Sequence, residues 1–539
     1  MSAPTPAPPR PDTLNTRAAG VVGLAVMCSR ILGLAREQIF AALFGGGRLL
    51  DAFTIAFRIP NLLRDLFAEG ALSTAFITIF SRTISREGDA AAFRLANKVL
   101  TLAVLTISAL TVLGIVFAPW IISVLAGGFD PAKQALTVTL ARIMFPFILM
   151  VSLAALVMGM LNARNIFGIP AMASSFFNLG SIVAGVCLGW WFDPHFGERA
   201  LLGLSLGTLV GGLLQLVVQL PALRREGYRF APDFLWRDRG VMEVLRVMGP
   251  SVIAASSTQI NVTVNSMFAS HLGNGPTGWL SIAFRVMQLP LGIFGVALGT
   301  VSLPLLARLA AAGKRDDFRT ELGHGIRLAF LMTIPATVGL IVLADPIISV
   351  LYRHGRFTTD QAHGAAGALR YYALGLVGYA SLKVLVNAFY AIDRRKTPMF
   401  VSFGAVGLNL LFNWLFTWHL GWGARGLAFS TACIATTNFI VLFFLMRQEL
   451  GRFDSGALLS LTVRVGVASA AMAAVCLAST QWLFPGWESA GLWLRLSWLL
   501  ATILAASLVF AACATLLKVV ELTTITSAFR RRLSRRLAR

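Results

Sequence analysis

Apolar stretches of 18 or more residues recur along this chain, separated by short basic or Gly/Pro-rich breaks. A stretch of that length matches the hydrocarbon thickness of a bilayer, and by this criterion we count about fourteen of them. With 57% hydrophobic and 13% charged residues over 539 positions, and a mean hydropathy of +0.75, too little polar surface exists for a water-soluble fold of this size. The expected class is an all-α polytopic membrane protein.

The first 19 residues are Pro-rich and lack a long apolar core, so they read as a disordered tail rather than a signal peptide. All five cysteines (Cys28, Cys187, Cys433, Cys476 and Cys513) fall inside apolar segments without CxxC spacing. That pattern suits buried small hydrophobes, not a disulfide framework or a metal site. The net charge of +22 invites a nucleic-acid reading, but the basic residues are scattered through short breaks instead of gathered on one face, and no nucleic-acid partner is expected. Their placement is topogenic. Alternate breaks carry Arg82 and Arg86, Arg164, the cluster from Arg224 to Arg239, Lys314 to Arg319, Arg394 to Lys396, Arg447 and Arg452, and a tail ending FRRRLSRRLAR. The opposite breaks hold little beyond Arg48, Lys133, Arg199, Arg353, Arg356 and Arg425. Positive residues stay inside, so both termini are expected in the cytoplasm and the number of spans is even. The basic tail can also meet anionic membrane lipids.

Comparison of the chain with itself shows a repeat near 228 residues. IAFR at Ile55–Arg58 recurs at Ile282–Arg285, Gly127-Gly128-Phe129 faces Gly355-Arg356-Phe357, Arg142 faces Arg370, and Pro170 faces Pro398. Six spans per repeat is an even count, so the two halves should share one orientation, as parallel repeats around a common site. The expected organisation is a lobe over 20–222, a basic loop over 223–245, a second lobe over 246–450, two additional helices within 451–520, and a basic tail over 521–539. Gly203, Gly207 and Gly211 form GxxxGxxxG, the signature of close helix packing. Pro60, Pro146, Pro250, Pro290 and Pro335 are expected to bend spans.

Ionisable residues interrupt the apolar pattern most densely between Cys28 and Phe76. A charge near the bilayer centre costs roughly 2.5–3.5 kcal/mol on insertion scales, so Arg30, Arg36, Arg58, Arg64, Asp65 and Glu69 require a wet or paired setting. At 3.6 residues per turn Arg58, Asn61, Asp65 and Glu69 share one helical face, while Arg64 sits about 120° from Arg58. Planar guanidinium forks suit bidentate binding of phosphate or carboxylate, so the expected cavity is one for an anion. The competing expectation is that Arg30, Arg58 and Arg64 pair with Asp51, Asp65 and Glu69, or snorkel to the interface. No HExxH, Cys/His, Ser/His/Asp or GxxxxGK[ST] arrangement occurs, which argues against an enzyme.

Several stretches carry a family resemblance: SRILGLARE, DAFTIAFRIPNLLRDLFAEGALSTAF, FPFILMVSLAALVMGMLNARNIFGIPA, LPLGIFGVALGTVSLPLL and LKVLVNAFYAIDRRKTP. The chain resembles the MurJ (MviN) lipid II flippases of the multidrug/oligosaccharidyl-lipid/polysaccharide exporter superfamily. The resemblance implies fourteen helices: two six-helix lobes around a cationic cavity, with helices 13 and 14 forming a groove for a lipid tail. It implies an inner-membrane transporter that moves lipid II, an undecaprenyl-diphosphate-linked disaccharide-pentapeptide, to the outer leaflet for peptidoglycan assembly. Family cavity positions match Arg30, Arg36, Arg64 and Arg285, the cavity acid matches Asp51, and a further cationic position matches Arg58. Phe284 and Gln288 stand where many members carry acids beside the second-lobe arginine. No cofactor is expected beyond a monovalent cation, for which Asn409 and Asn413 are candidates, although paired asparagines more often serve helix packing. The rival expectations are a flippase for another lipid-linked oligosaccharide, a drug exporter, which would want an acid-rich cavity, and a membrane scaffold for cell-wall synthesis proteins.

Overall fold

The computed structural model describes residues 16–65, 72–451, 453, 455–483 and 485–522, and among them the chain is helical without strands. The first repeat contains α1 (Thr16–Phe44), α2 (Arg48–Leu63), α3 (Leu72–Glu87), α4 (Asp89–Leu125), α5 (Pro131–Met144), α6 (Phe147–Ala163), α7 (Gly168–Phe192), α8 (Ala200–Val217) and the short α9 (Leu220–Arg225). The second contains α10 (Arg239–Ser270), α11 (Pro276–Ala311), α12 (Arg315–Val342), α13 (Ala344–Tyr352), α14 (Thr359–Ala373), α15 (Leu376–Ala391), α16 (Lys396–Asn413) and α17 (Gly423–Leu450). The chain then adds α18 (Ser455–Ala478) and α19 (Leu492–Leu516).

The duplication is visible in the element boundaries. Helices α5 and α14 begin at Pro131 and Thr359, α7 and α16 at Gly168 and Lys396, and α6 and α15 end at Ala163 and Ala391, each pair 228 positions apart. Both repeats also break one span at the same place, after Met144 in one and after Ala373 in the other. The prolines expected to bend spans do lie within helices at Pro60, Pro250, Pro290 and Pro335, and Pro146 stands at the α5–α6 break.

By length and composition, the described residues contain nine helical spans apolar enough to cross a bilayer, or ten with the bent pair α14–α15. Among the helices outside that count, α1 holds Arg30 and Arg36, α11 holds Arg285, and α2, which carries Arg58, is only 16 residues long.

Two compact units divide the contacts. One comprises the chain up to Ile39 with Phe57–Ala118 and Thr139–Ile253; the other comprises Phe40–Ala56, Pro119–Val138 and the chain from Ala254 onward. In the first, α7 and α8 meet at backbone distance. A Cβ placed on Gly203 would stand 2.2 Å from the Gly189 nitrogen, one on Gly207 2.3 Å from the Gly185 Cα, and one on Gly211 2.3 Å from the Ser181 hydroxyl. The expected GxxxGxxxG is thus answered by Ser181, Gly185 and Gly189 at the same four-residue spacing. Lipid offers no hydrophobic drive for helix pairing, so contact this close supplies the attraction by van der Waals packing. Beside it, Phe57, Phe147 and Phe177 form an aromatic cluster with ring centroids 5.6 and 5.3 Å apart along the chain of contacts.

In the second unit the two additional helices pack on the repeat. Leu461, Val465 and Ala468 of α18 and Ala514 of α19 close a core with Leu331 of α12, while Cys476 and Leu499 join Leu343 and Val350 by α13. Leu500, Leu504 and Leu508 form an outward stripe on α19 at helical spacing. The cysteines form no disulfide; Cys476 is buried as expected, whereas Cys28 and Cys187 are exposed on apolar helix faces, a correction to the buried reading for those two.

Candidate functional site

Four of the six expected anion-binding positions belong to the first unit. On α1, Arg30 is exposed and Arg36 half-buried, with the Arg36 guanidinium 5.1 Å from the Phe177 ring centroid and 5.9 Å from that of Phe57. Aromatic faces attract a cation electrostatically and cost it less hydration than hydrocarbon would. Just before Arg30 the helix is tied to α7: the Asn178 amide donates to the Ser29 carbonyl at 3.1 Å. Gly33 is buried at that crossing, where an added Cβ would meet the same amide at 3.5 Å. The aromatic cluster therefore orients the Arg36 guanidinium, while the asparagine holds the backbone of α1 against α7 next to Arg30.

On α2, Arg58 and Asn61 are half-buried, as are Arg64 and Asp65. Arg64 donates to the carboxylate of its neighbour Asp65 at 2.9 Å. Adjacent residues of an ideal helix diverge by 100°, but Arg64 and Asp65 lie in a π-helical turn, four residues after Pro60, and meet. This corrects the expected separation, in which Asp65 belonged to the Arg58 face and Arg64 did not. Glu69 lies outside the described residues.

The second unit holds the other two positions. Arg285 is exposed on α11. Phe284 is engaged in an aromatic group, 5.3 Å from the Tyr372 ring and 6.4 Å from that of Tyr379, so the missing acid at that position has been replaced by packing. Gln288 is exposed.

Asp51 is not in a wet cavity, and this corrects its expected place as a substrate-facing acid. It is 0% exposed and accepts from Lys133 Nζ at 2.9 Å and from the backbone N–H groups of Gly275 and Gly278 at 2.6 and 2.7 Å. The two N–H groups belong to the start of α11, where helix dipoles favour a negative charge. Lys133, itself 1% exposed, also donates to Asn274 Oδ1 at 3.0 Å and lies 3.7 Å from the Phe129 ring centroid. Further bonds join the same first-repeat segments to the second repeat. Trp279 Nε1 donates to the Gly46 carbonyl at 2.8 Å, the Arg356 N–H donates to the Ala42 carbonyl at 2.8 Å, and Gln361 Oε1 accepts from the Gly46 N–H at 2.7 Å. Gly355 makes that approach possible: its φ is +57°, and a Cβ there would stand 2.3 Å from the Ala42 oxygen.

Asn409 and Asn413 join a larger amide group between α10, α16 and α17. Asn409 Nδ2 donates to Asn261 Oδ1 at 3.0 Å and Asn265 Oδ1 at 3.2 Å; Asn413 Nδ2 donates to Asn265 Oδ1 at 2.8 Å; Asn265 Nδ2 donates to Thr431 at 3.0 Å. Ser430 donates to Asn409 Oδ1 at 3.3 Å. Asn413 Oδ1 is buried without a hydrogen-bond partner, so one neutral oxygen remains for a cation, but these bonds link amides and hydroxyls, with no carboxylate among them.

Sequence reasoning missed Lys133, Asn261 and Asn265. In the sequence Lys133 reads as a loop charge, and the signal for its role is an isolated lysine beside the helix-opening Asp130-Pro131. Asn261/Asn265 repeat the four-residue spacing of Asn409/Asn413, and two such pairs within apolar spans signal one shared network.

Comparison with known proteins places these elements. Residues 40–496 match the family model "Lipid II flippase MurJ". The lipid II flippase MurJ of Burkholderia cenocepacia is 36% identical over 439 residues, covering 80% of this chain and 84% of that protein. The probable lipid II flippase MurJ of Haemophilus influenzae is 31% identical over 514 residues, 92% of this chain and 98% of its own. Among solved structures, a lipid II flippase MurJ in an inward closed conformation superposes with a TM-score of 0.76 at 26% identity, covering 92% of this chain and 98% of that one. An inward-facing multidrug-resistance MATE transporter shares the fold, with a TM-score of 0.67 at 17% identity over 80% of this chain and 98% of its own.

Proposed function

The chain belongs to the MurJ family of lipid II flippases, and on that premise we propose that it binds the diphosphate of lipid II through Arg30, Arg36, Arg58, Arg64 and Arg285 and releases the lipid in the opposite leaflet by alternating access. It is a transporter and not an enzyme, and an integral protein of the inner membrane. The observation that carries the binding role is the placement of four guanidinium groups on α1, α2 and the turn after α2, one of them ordered by an aromatic cluster, in a chain otherwise apolar enough for lipid. Guanidinium forks bind a diphosphate bidentately, and each charge costs insertion energy that only a polar or anionic environment returns.

The Asp51–Lys133 pair is the contact that alternation breaks and remakes, because it joins first-repeat segments to the start of α11 with charges that water can solvate once the contact opens. Outward movement of two negative charges gains about 4–5 kcal/mol per 100 mV when the interior is negative, so the potential suffices to set direction. The polyprenyl tail follows the apolar surface of α18 and α19, and both termini face the cytoplasm. The amide group around Asn409 and Asn413 holds three helices together; a monovalent cation at Asn413 Oδ1 is the secondary reading that its unpartnered oxygen supports.

Reconstitution tests the binding role. Proteoliposomes carrying the protein should flip labelled lipid II, and replacement of Arg30, Arg64 and Arg285 together by alanine should abolish flipping while leaving the melting temperature near that of the parent. Undiminished flipping by the triple variant would refute it.

A further inference from the structure

Arg495 opens the first turn of α19, and its side chain is 6% exposed. Its Nη1 donates to the Ser349 hydroxyl of α13 at 3.0 Å, and its Nε is buried without a hydrogen-bond partner. The charged group that acts on it is another cation, Arg353, which follows α13 and donates to the backbone carbonyl of Glu488. Among the described residues no carboxylate pairs with Arg495 or Arg353. Guanidinium does not deprotonate in proteins, so two like charges share a place where one is almost wholly removed from water. An anion between them would offset both the repulsion of the two cations and the burial of Arg495.

The depth of the site identifies the anion. Trp482 and Trp493 flank the α18–α19 turn and are each 79% exposed, while Trp487 stacks on Trp498 with ring centroids 5.9 Å apart. Tryptophan gathers where acyl chains give way to headgroups, so the first turn of α19 stands at the level of lipid phosphates. We propose that Arg495, Arg353 and Ser349 form a binding site for the phosphate of an anionic phospholipid in the leaflet at the α18–α19 turn. The chemistry recognised is a phosphate anion; the aromatic belt and the outward leucine stripe of α19 assign it to a lipid rather than to free phosphate. The bound lipid cements α19 to α13, and so attaches the two added helices to the second repeat.

Full-length protein in phosphatidylcholine nanodiscs, with and without phosphatidylglycerol, tests this. Native mass spectrometry should show phosphatidylglycerol retained on the parent protein, and Arg495→Gln or Arg353→Gln should weaken retention about tenfold, the loss of one charge-assisted phosphate contact. The parent should melt higher with phosphatidylglycerol than without it. Arg495→Met should melt no lower than the parent in phosphatidylcholine alone and gain nothing from phosphatidylglycerol. The proposal fails if Arg495→Gln retains the lipid fully, if inorganic phosphate added to phosphatidylcholine discs reproduces the stabilisation, or if Arg495→Met is destabilised equally in both lipids, which would mark a purely structural arginine.

Discussion

The Asp51 carboxylate and the Lys133 ammonium meet at 2.9 Å with neither side chain more than 1% exposed, and the same carboxylate caps the start of α11 through two backbone N–H groups. The pair joins residues 82 positions apart within the first repeat to a turn of the second. Three donors on one carboxylate make a contact that is all-or-none, because loss of either charge leaves the other buried.

Asp51→Asn and Lys133→Met should therefore each destabilise the protein by about 3–5 kcal/mol, the cost of stranding a buried charge, while the double variant recovers a large part of it. Thermal melting in one detergent, read as a double-mutant cycle, gives the coupling. Additive losses would mean that the pair does not act as a unit.

The α7–α8 interface should reject even one methyl group. Gly207→Ala places a Cβ 2.3 Å from the Gly185 Cα and should cost about 1–3 kcal/mol as the helices separate. Gly466→Ala, on α18 with nothing within 4 Å, should be neutral or gain up to about 1 kcal/mol from helix propensity. Comparable melting temperatures for the two variants would contradict the packing argument.

Removal of a competing carboxylate should improve the anion site. Asp65→Asn leaves Arg64 without its 2.9 Å partner, and lipid II binding should tighten by up to about tenfold, with a steeper dependence on salt. Microscale thermophoresis at two ionic strengths measures this. Weaker binding would place Asp65 on the substrate side instead.

For the amide group, Asn409→Leu should destabilise by about 1–3 kcal/mol, since it removes the side-chain partner of Asn261 and Ser430 and one of the bonds to Asn265. Exchange of sodium for potassium or choline should leave the parent melting temperature unchanged. A sodium-specific rise that Asn413→Leu abolishes would turn the cluster into a cation site.

The basic loop before α10 docks by a contact that titrates. Asp238 accepts from Lys98 at 2.7 Å, and this bond holds its carboxyl below the usual range. Tyr228 and Asp233 add bonds to Asn97 and Thr101 of α4. A lowered carboxyl contributes stability above its ordinary pKa and loses it as pH falls through the lowered value. Hydrogen-exchange protection factors across 226–238, taken relative to the intrinsic rate at each pH, should thus fall in acid in the parent protein, and Asp238→Asn should be poorly protected already at neutral pH. A loop equally protected at all pH values would remove the pair from the account.

How much of this was legible beforehand depends on the range of the interaction. Hydropathy is summed over neighbours along the chain, so the apolar helical class, the duplication near 228 residues and the prolines within helices could be read from order alone. The GxxxGxxxG face of α8 was readable for the same reason, since helical periodicity projects residues 203, 207 and 211 onto one line. The family resemblance likewise rested on contiguous motifs.

Partners across hundreds of positions were a different matter. Periodicity placed Asp51 among the charges of α2 but could not say that Lys133 and the N-terminus of α11 surround it, because a carboxylate looks the same whether water or an ammonium faces it. The π-helical turn at Arg64 joined two side chains that an ideal helix separates. Asn409 and Asn413 were visible as a pair, yet their meaning came from Asn261 and Asn265 on another helix. The sequence by itself determined which segments enter the membrane and where charge sits along them; tertiary packing alone decided which of those charges are neutralised, since desolvation depends on what surrounds a group in space and not on what precedes it in the chain.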